Sequence, residues 1–137
     1  METEHLRTVR TYWDASARND YELAGQCVGE GYLWIDHTFE VEARTPDELR
    51  KAMNDDSAWS NRTFAINNAM ETTDGALVVQ ATETGTLTAP WRSVEARGQT
   101  VSHDGCWIFR FDGDGRIIHE EKYSDASSWM VRLRATG

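Results

Sequence analysis

Asp104-Gly105-Cys106-Trp107-Ile108-Phe109-Arg110-Phe111-Asp112-Gly113-Asp114-Gly115-Arg116-Ile117-Ile118 is the stretch that decides the fold. Val101, His103, Gly105, Trp107, Phe109 and Phe111 share one parity, so a strand through them lays its aromatic side chains on one face. Asp112-Gly113-Asp114-Gly115 turns the chain, and Arg116 to Ser124 reads as a second strand. The continuation, Glu120-Glu121-Lys122-Tyr123-Ser124-Asp125, ends in a residue able to cap a short helix holding Trp129, Met130 and Leu133.

Working upstream, Phe64, Ile66, Asn68 and Met70 alternate towards a two-residue hairpin turn at Asp74-Gly75. Leu77, Val79 and Ala81 continue in the returning strand, and a loop around Pro90 leads back to the decisive stretch. The opening of the chain is helical instead: Leu6, Val9, Trp13 and Ala17 fall on one face, with Tyr12 at its edge. A short second helix through Leu23 and Cys27 is expected to end at Gly29 and Gly31, before a strand from Tyr32 to Thr38. Thr45-Pro46-Asp47-Glu48 combines a cap, a first-turn proline and a capping box, and predicts a helix carrying Leu49 and Met53. Helices first and antiparallel strands after predict one α+β domain over residues 1–137, its helices packed on one face of a curved sheet.

The bulk numbers narrow the partners. A net charge of −9, from 23 acidic and 14 basic residues, repels phosphate backbones and anionic lipid, so neither nucleic acid nor membrane is expected. Cys27 and Cys106 form no disulfide framework and no zinc spacing. With no apolar leader at the start, the expected compartment is the reducing cytoplasm. Asp112-Gly113-Asp114-Gly115 begins like a calcium loop, but Arg116 and Ile117 stand where a ligand and a glycine are needed. No metal is implied. Six tryptophans suit a thick core, a pocket wall or an interface.

The order of elements and the two quoted segments resemble the SnoaL-like and ketosteroid isomerase-like family of the nuclear transport factor 2-like superfamily. The shared features are the aromatic-rich strand, the Asp-Gly-Arg-Ile turn, the acidic strand and the aromatic-x-Asp start of the last helix. That resemblance implies a cone-shaped curved antiparallel sheet with the N-terminal helices on its concave face. It also implies a homodimer, a small apolar polyketide- or steroid-like ligand, and chemistry that needs no cofactor.

Asp36 follows Leu33, Trp34 and Ile35, an expensive place for a carboxylate unless it is paired or functional. The resemblance puts it at the isomerase's general base and puts Tyr12 at the hydroxyl donor of the first helix. Trp107 falls at the isomerase's second oxyanion donor, where an indole N–H can donate a hydrogen bond but cannot move a proton. Lys122 stands where the resemblance puts the acid/base aspartate of cyclases, with Glu120 on the same strand face; the two read as an inward ion pair or a solvated rim pair, or Glu120 as a second carboxylate facing Asp36. Trp13, Trp34, His103, Phe109, Glu120 and Lys122 are the expected substrate-contacting residues. Two functions remain open: proton abstraction beside a carbonyl with Asp36 as base, giving isomerisation, cyclisation or loss of water, and a non-catalytic binding or assembly module. Epoxide hydrolysis by Asp36 with Glu120 is a minor alternative.

Overall fold

The computed structural model describes residues 2–45, 48, 51 and 58–135. In chain order it runs α1 (Glu4–Ala17), α2 (Tyr21–Gln26), β1 (Val28–Asp36), β2 (Val41–Ala43), β3 (Trp59–Glu71), β4 (Leu77–Leu87), β5 (Thr100–Phe111), β6 (Ile117–Tyr123) and α3 (Ala126–Ala135). The strands form one six-stranded sheet in the order β2-β1-β6-β5-β4-β3. The expected α+β architecture is present, with one difference. β1 runs parallel to β6, pairing Trp34 with Glu120 and Asp36 with Lys122, so the sheet is mixed. β1 lies between its hairpin partner β2, which it pairs antiparallel, and the last strand β6.

Each helix start has a local cause. Thr3 accepts from Leu6 N at the head of α1, and Asp20 accepts from Leu23 N at the head of α2. Asp125 accepts from Ser127 and Ser128, capping α3 as its position predicts. The Thr45–Glu48 capping box closes reciprocally: Glu48 N donates to Thr45 Oγ1 at 3.2 Å, and Thr45 N donates to Glu48 Oε2 at 3.1 Å. Leu49 and Met53 lie outside the described residues.

Backbone irregularities redirect side chains in ways alternation does not reveal. Gly29 and Gly31 do not end α2; they lie within β1, where Gly31 adopts φ +81 beside a register shift between Val28 and Leu33. In β3 the register shifts between Ser60 and Thr63, with Asn61 at φ 51, so Trp59 and Phe64 both reach the interior despite opposite parity. A second shift between Ile66 and Asn68 turns Ala69 to the core and leaves Met70 half exposed, against the simple alternation. The β3–β4 hairpin is closed by Thr72 and Ala76 around three residues, not two, with Gly75 at φ +88.

Two apolar clusters result. One joins Val9, Tyr12 and Trp13 of α1 to Leu77, Val79, Trp107, Phe109 and Ile117 of the sheet. The other joins Trp129 and Leu133 of α3 to Trp59, Leu87, Trp91 and Val101. The last carbonyls of α3 accept from Arg97 and Gln99, which ties that helix to the loop before β5.

Trp107 lies across Gly105, two residues back on the same strand face. A Cβ on Gly105 would sit 2.9 Å from the indole's Cη2 and Cζ3. Gly105→Ala therefore forces the ring out of place, and its urea midpoint is expected to fall by the equivalent of about 1–3 kcal/mol.

Candidate active site

Between the two clusters lies a cavity of about 110 Å³. All six tryptophans of the chain, Trp13, Trp34, Trp59, Trp91, Trp107 and Trp129, contribute to its wall. Into this apolar surround the strands carry a band of charge: Asp36 from β1, Arg62 from β3, Glu83 from β4, and Glu120 and Lys122 from β6.

Asp36 is 7% exposed at the end of β1. Its Oδ1 accepts from Thr38 N at 2.8 Å, a local bond available because the chain turns immediately after the strand. The parallel register pairs Glu120 with Trp34, two residue pairs back from Asp36 along the neighbouring strand and on the same inward face.

Glu120 is 3% exposed and sits at the end of a phenol chain. Tyr32 Oη donates to Glu120 Oε1 at 3.0 Å, and Tyr12 Oη lies 2.9 Å from Tyr32 Oη and also bonds the carboxyl. Burial pushes Glu120 up to about 7; the two phenols and Lys122 oppose that rise, and the Asp36 charge reinforces it. Tyr32 is raised well above its ordinary value by burial, with Glu120 adding to the effect. Tyr12 therefore lines the cavity and is coupled to Glu120 both directly and through Tyr32.

Lys122 is buried, not a solvated rim residue, and its Nζ donates to Glu83 Oε1 at 3.0 Å. The ammonium lies 5.5 Å from the Trp107 ring. Arg62 Nη2 is 3.6 Å from the other Glu83 oxygen. Burial alone would raise Glu83, but Lys122, Arg62 and His103 overcome it and hold the carboxyl at about 2. His103 Nε2 accepts from Trp129 Nε1 at 2.7 Å. Burial lowers this imidazole to about 4 against the pull of Glu83, so it is a neutral acceptor near neutral pH.

Of the expected contact residues, Trp13, Trp34, Glu120 and Lys122 line the cavity, as do Asp36, Tyr12 and Trp107. His103 and Phe109 do not. His103 stacks behind Trp129 at 4.0 Å, and Phe109 is fully buried edge-on to Trp13. Sequence reasoning missed Glu83, Tyr32 and Arg62. Glu83 shares parity with Leu77, Val79 and Ala81, and Tyr32 with Trp34 and Asp36, so both carried an inward signal. Arg62 carried none, because the bulge at Asn61 sets its direction. His37, His119 and Tyr123 gather around Glu121 instead, away from the cavity.

Among the described residues no three His, Cys, Asp or Glu side chains are grouped to hold a metal ion, and no helix is long and apolar enough to cross a membrane. The family model for the SnoaL-like domain matches residues 9–120, from α1 through the Glu120 strand. The chain belongs to the SnoaL-like domain family. This SnoaL-like domain is similar in fold to solved structures across nearly its whole length. One, named as a SnoaL-like polyketide cyclase from Jannaschia sp. CCS1, is 20% identical, with 98% of this chain and 94% of that one covered at a TM-score of 0.82. Another of the same name, from Shewanella putrefaciens CN-32, is 11% identical over 98% and 99% of the chains at a TM-score of 0.86. A third, with a ketosteroid isomerase-like fold from Catenulispora acidiphila DSM 44928, is 15% identical over 92% and 91% at a TM-score of 0.75. No curated protein matches.

Glu83→Gln in this SnoaL-like domain strips two buried cations of their shared carboxylate, so a loss of about 3–5 kcal/mol is expected from urea unfolding. The sign with pH follows from the lowered carboxyl. Stabilisation by Glu83 is complete above its ordinary value of 4.5 and disappears as pH falls towards about 2. The deficit of the variant against the wild type is therefore expected to shrink across that acid window.

Proposed function

We propose that this protein is an enzyme performing cofactor-independent acid/base chemistry on a compact apolar carbonyl compound, with Asp36 as general base. The observation that supports this best is the pair of buried carboxylates, Asp36 and Glu120, facing one indole-walled hollow from adjacent strands in unlike surroundings. Carboxylates held in environments that separate their proton affinities are how such sites divide the roles of base and acid.

In this reading Asp36 takes a proton from the carbon beside the carbonyl. The C–H electron pair becomes a C=C bond, and the carbonyl π pair moves to oxygen. Glu120, pushed up to about 7, carries a proton in a substantial fraction of molecules at neutral pH and supplies it to that oxygen. Lys122 adds positive charge nearby, in a cavity where water screens it poorly. Tyr32 and Tyr12 act through Glu120, fixing its carboxyl, while Trp107 walls the site. Isomerisation, aldol-type cyclisation and loss of water all begin with this step, which is consistent with relatives named as polyketide cyclases.

Asp36→Asn keeps the shape and removes the base, so turnover of an enolisable ketone is expected to fall by about 10²–10⁴-fold with binding retained. Unchanged turnover would refute the assignment. If Glu120 acts as acid, activity declines as pH rises through about 7. Tyr32→Phe removes a bond that favours the ionised carboxyl, and so should move that alkaline limb upward in a pH-rate profile. A second reading, a non-catalytic ligand-binding module, is favoured by the six indoles in one wall. Ligand binding without any product at every pH would select it.

A further inference from the structure

We propose that the cavity is a one-ring site, and that the mutually braced indoles of Trp59, Trp91 and Trp129 set this limit on the substrate. The inference narrows the substrate class of the acid/base reading above and rests on that reading only for the chemistry, not for the fit.

The first ground is size. At about 110 Å³ the hollow is close to the roughly 150 Å³ apolar cavity that takes one benzene ring, and well below the roughly 300–1,000 Å³ of sites for larger ligands. The second ground is that the wall is held from behind. Trp59 meets Trp91 at 5.3 Å and Trp129 at 5.2 Å, with interplanar angles of 75° and 64°. Edge-to-face rings in contact cannot slide apart one at a time without losing packing on two sides.

Each of the three also has its own anchor. Trp59 is seated over Gly85, where a Cβ would come within 2.9 Å of its Cε3. Trp129 donates to His103 and is backed by that ring. Trp91 is pinned by reciprocal backbone bonds with Val94 at 3.1 and 2.9 Å and meets Phe39 at 86°. The Arg92 guanidinium lies 4.2 Å over Phe39 and 5.0 Å from Trp91, adding a cation–π layer outside the aromatic rim. At the other end, Trp13 stacks on Phe64 at 4.6 Å, and Trp107 is seated over Gly105. Glycine at two inward strand positions thus makes room for indoles, and the indoles consume the space a larger ligand would need.

Charge points to a neutral ligand. The buried cations Arg62 and Lys122 share Glu83, and the remaining carboxylates are the proposed proton-transfer groups. Flat indole faces with a polar strip along one edge suit a small cyclic ketone or enone, its ring against tryptophan and its oxygen towards Glu120.

The test is a ring-number series measured by ligand-observed NMR titration: cyclohex-2-enone, 1-tetralone, anthrone and a four-ring 3-ketosteroid. Apolar burial alone makes affinity rise with every ring added. The one-ring limit instead requires affinity to fall at least tenfold between cyclohex-2-enone and 1-tetralone, and Trp91→Ala or Trp59→Ala, verified as folded by circular dichroism, to recover 1-tetralone binding at least tenfold. Affinity for 1-tetralone equal to or above that for cyclohex-2-enone in the wild type overturns the proposal. So does failure of cyclohex-2-enone to bind, or failure of both folded variants to admit 1-tetralone. Binding and turnover measured on the same ketones separate the two readings. A preserved ring series without turnover of any ketone by the wild type defeats only the chemistry, whereas turnover of the steroid defeats only the size limit.

Discussion

The cost of placing carboxylates in an apolar hollow is the constraint on which the rest of this structure depends. Asp36, Glu83 and Glu120 all reach one cavity lined by six indoles, where an isolated carboxylate is strongly disfavoured. The three are accommodated in different ways. Glu83 is neutralised by two cations and stays ionised. Asp36 takes a local backbone N–H. Glu120 has only phenols and a more distant ammonium, and its answer is to hold a proton far more readily than a surface glutamate does.

Lys122 does not empty the cavity of carboxylates. Here the ammonium turns towards Glu83 on a strand two removed in the sheet, and the inward carboxylate is two residues earlier, at Glu120. The parallel pairing of β1 with β6 then brings Asp36 and Glu120 to neighbouring strands. Two carboxylates in unlike surroundings thus face the same cavity.

Aromatic packing and glycine placement act together on the shape of the hollow. Gly85 and Gly105 both sit on inward strand faces, and each receives the ring of a tryptophan. Had either been alanine, the ring could not lie flat against the sheet, and the cavity would change shape before any charged residue moved. The polar band and the indole wall are therefore one construction: rings exclude water, and the exclusion shifts the carboxyl groups.

The sequence by itself determined the order of elements, the inward parity of β5, the cap at Asp125, and the suspicion that a carboxylate after Leu33-Trp34-Ile35 is no ordinary surface group. These are local matters, written in periods of two and 3.6 and in residues within a few positions of each other. Only the tertiary structure decided that Lys122 meets Glu83 across 39 positions, that Tyr32 reaches Glu120 across 88, that Arg62 turns inward at a bulge, and that His103 stands behind Trp129 rather than in the cavity. Partner choice between distant side chains depends on strand order and register shifts. A single backbone insertion reverses which face a residue occupies, and alternation along the chain carries no mark of where that insertion falls.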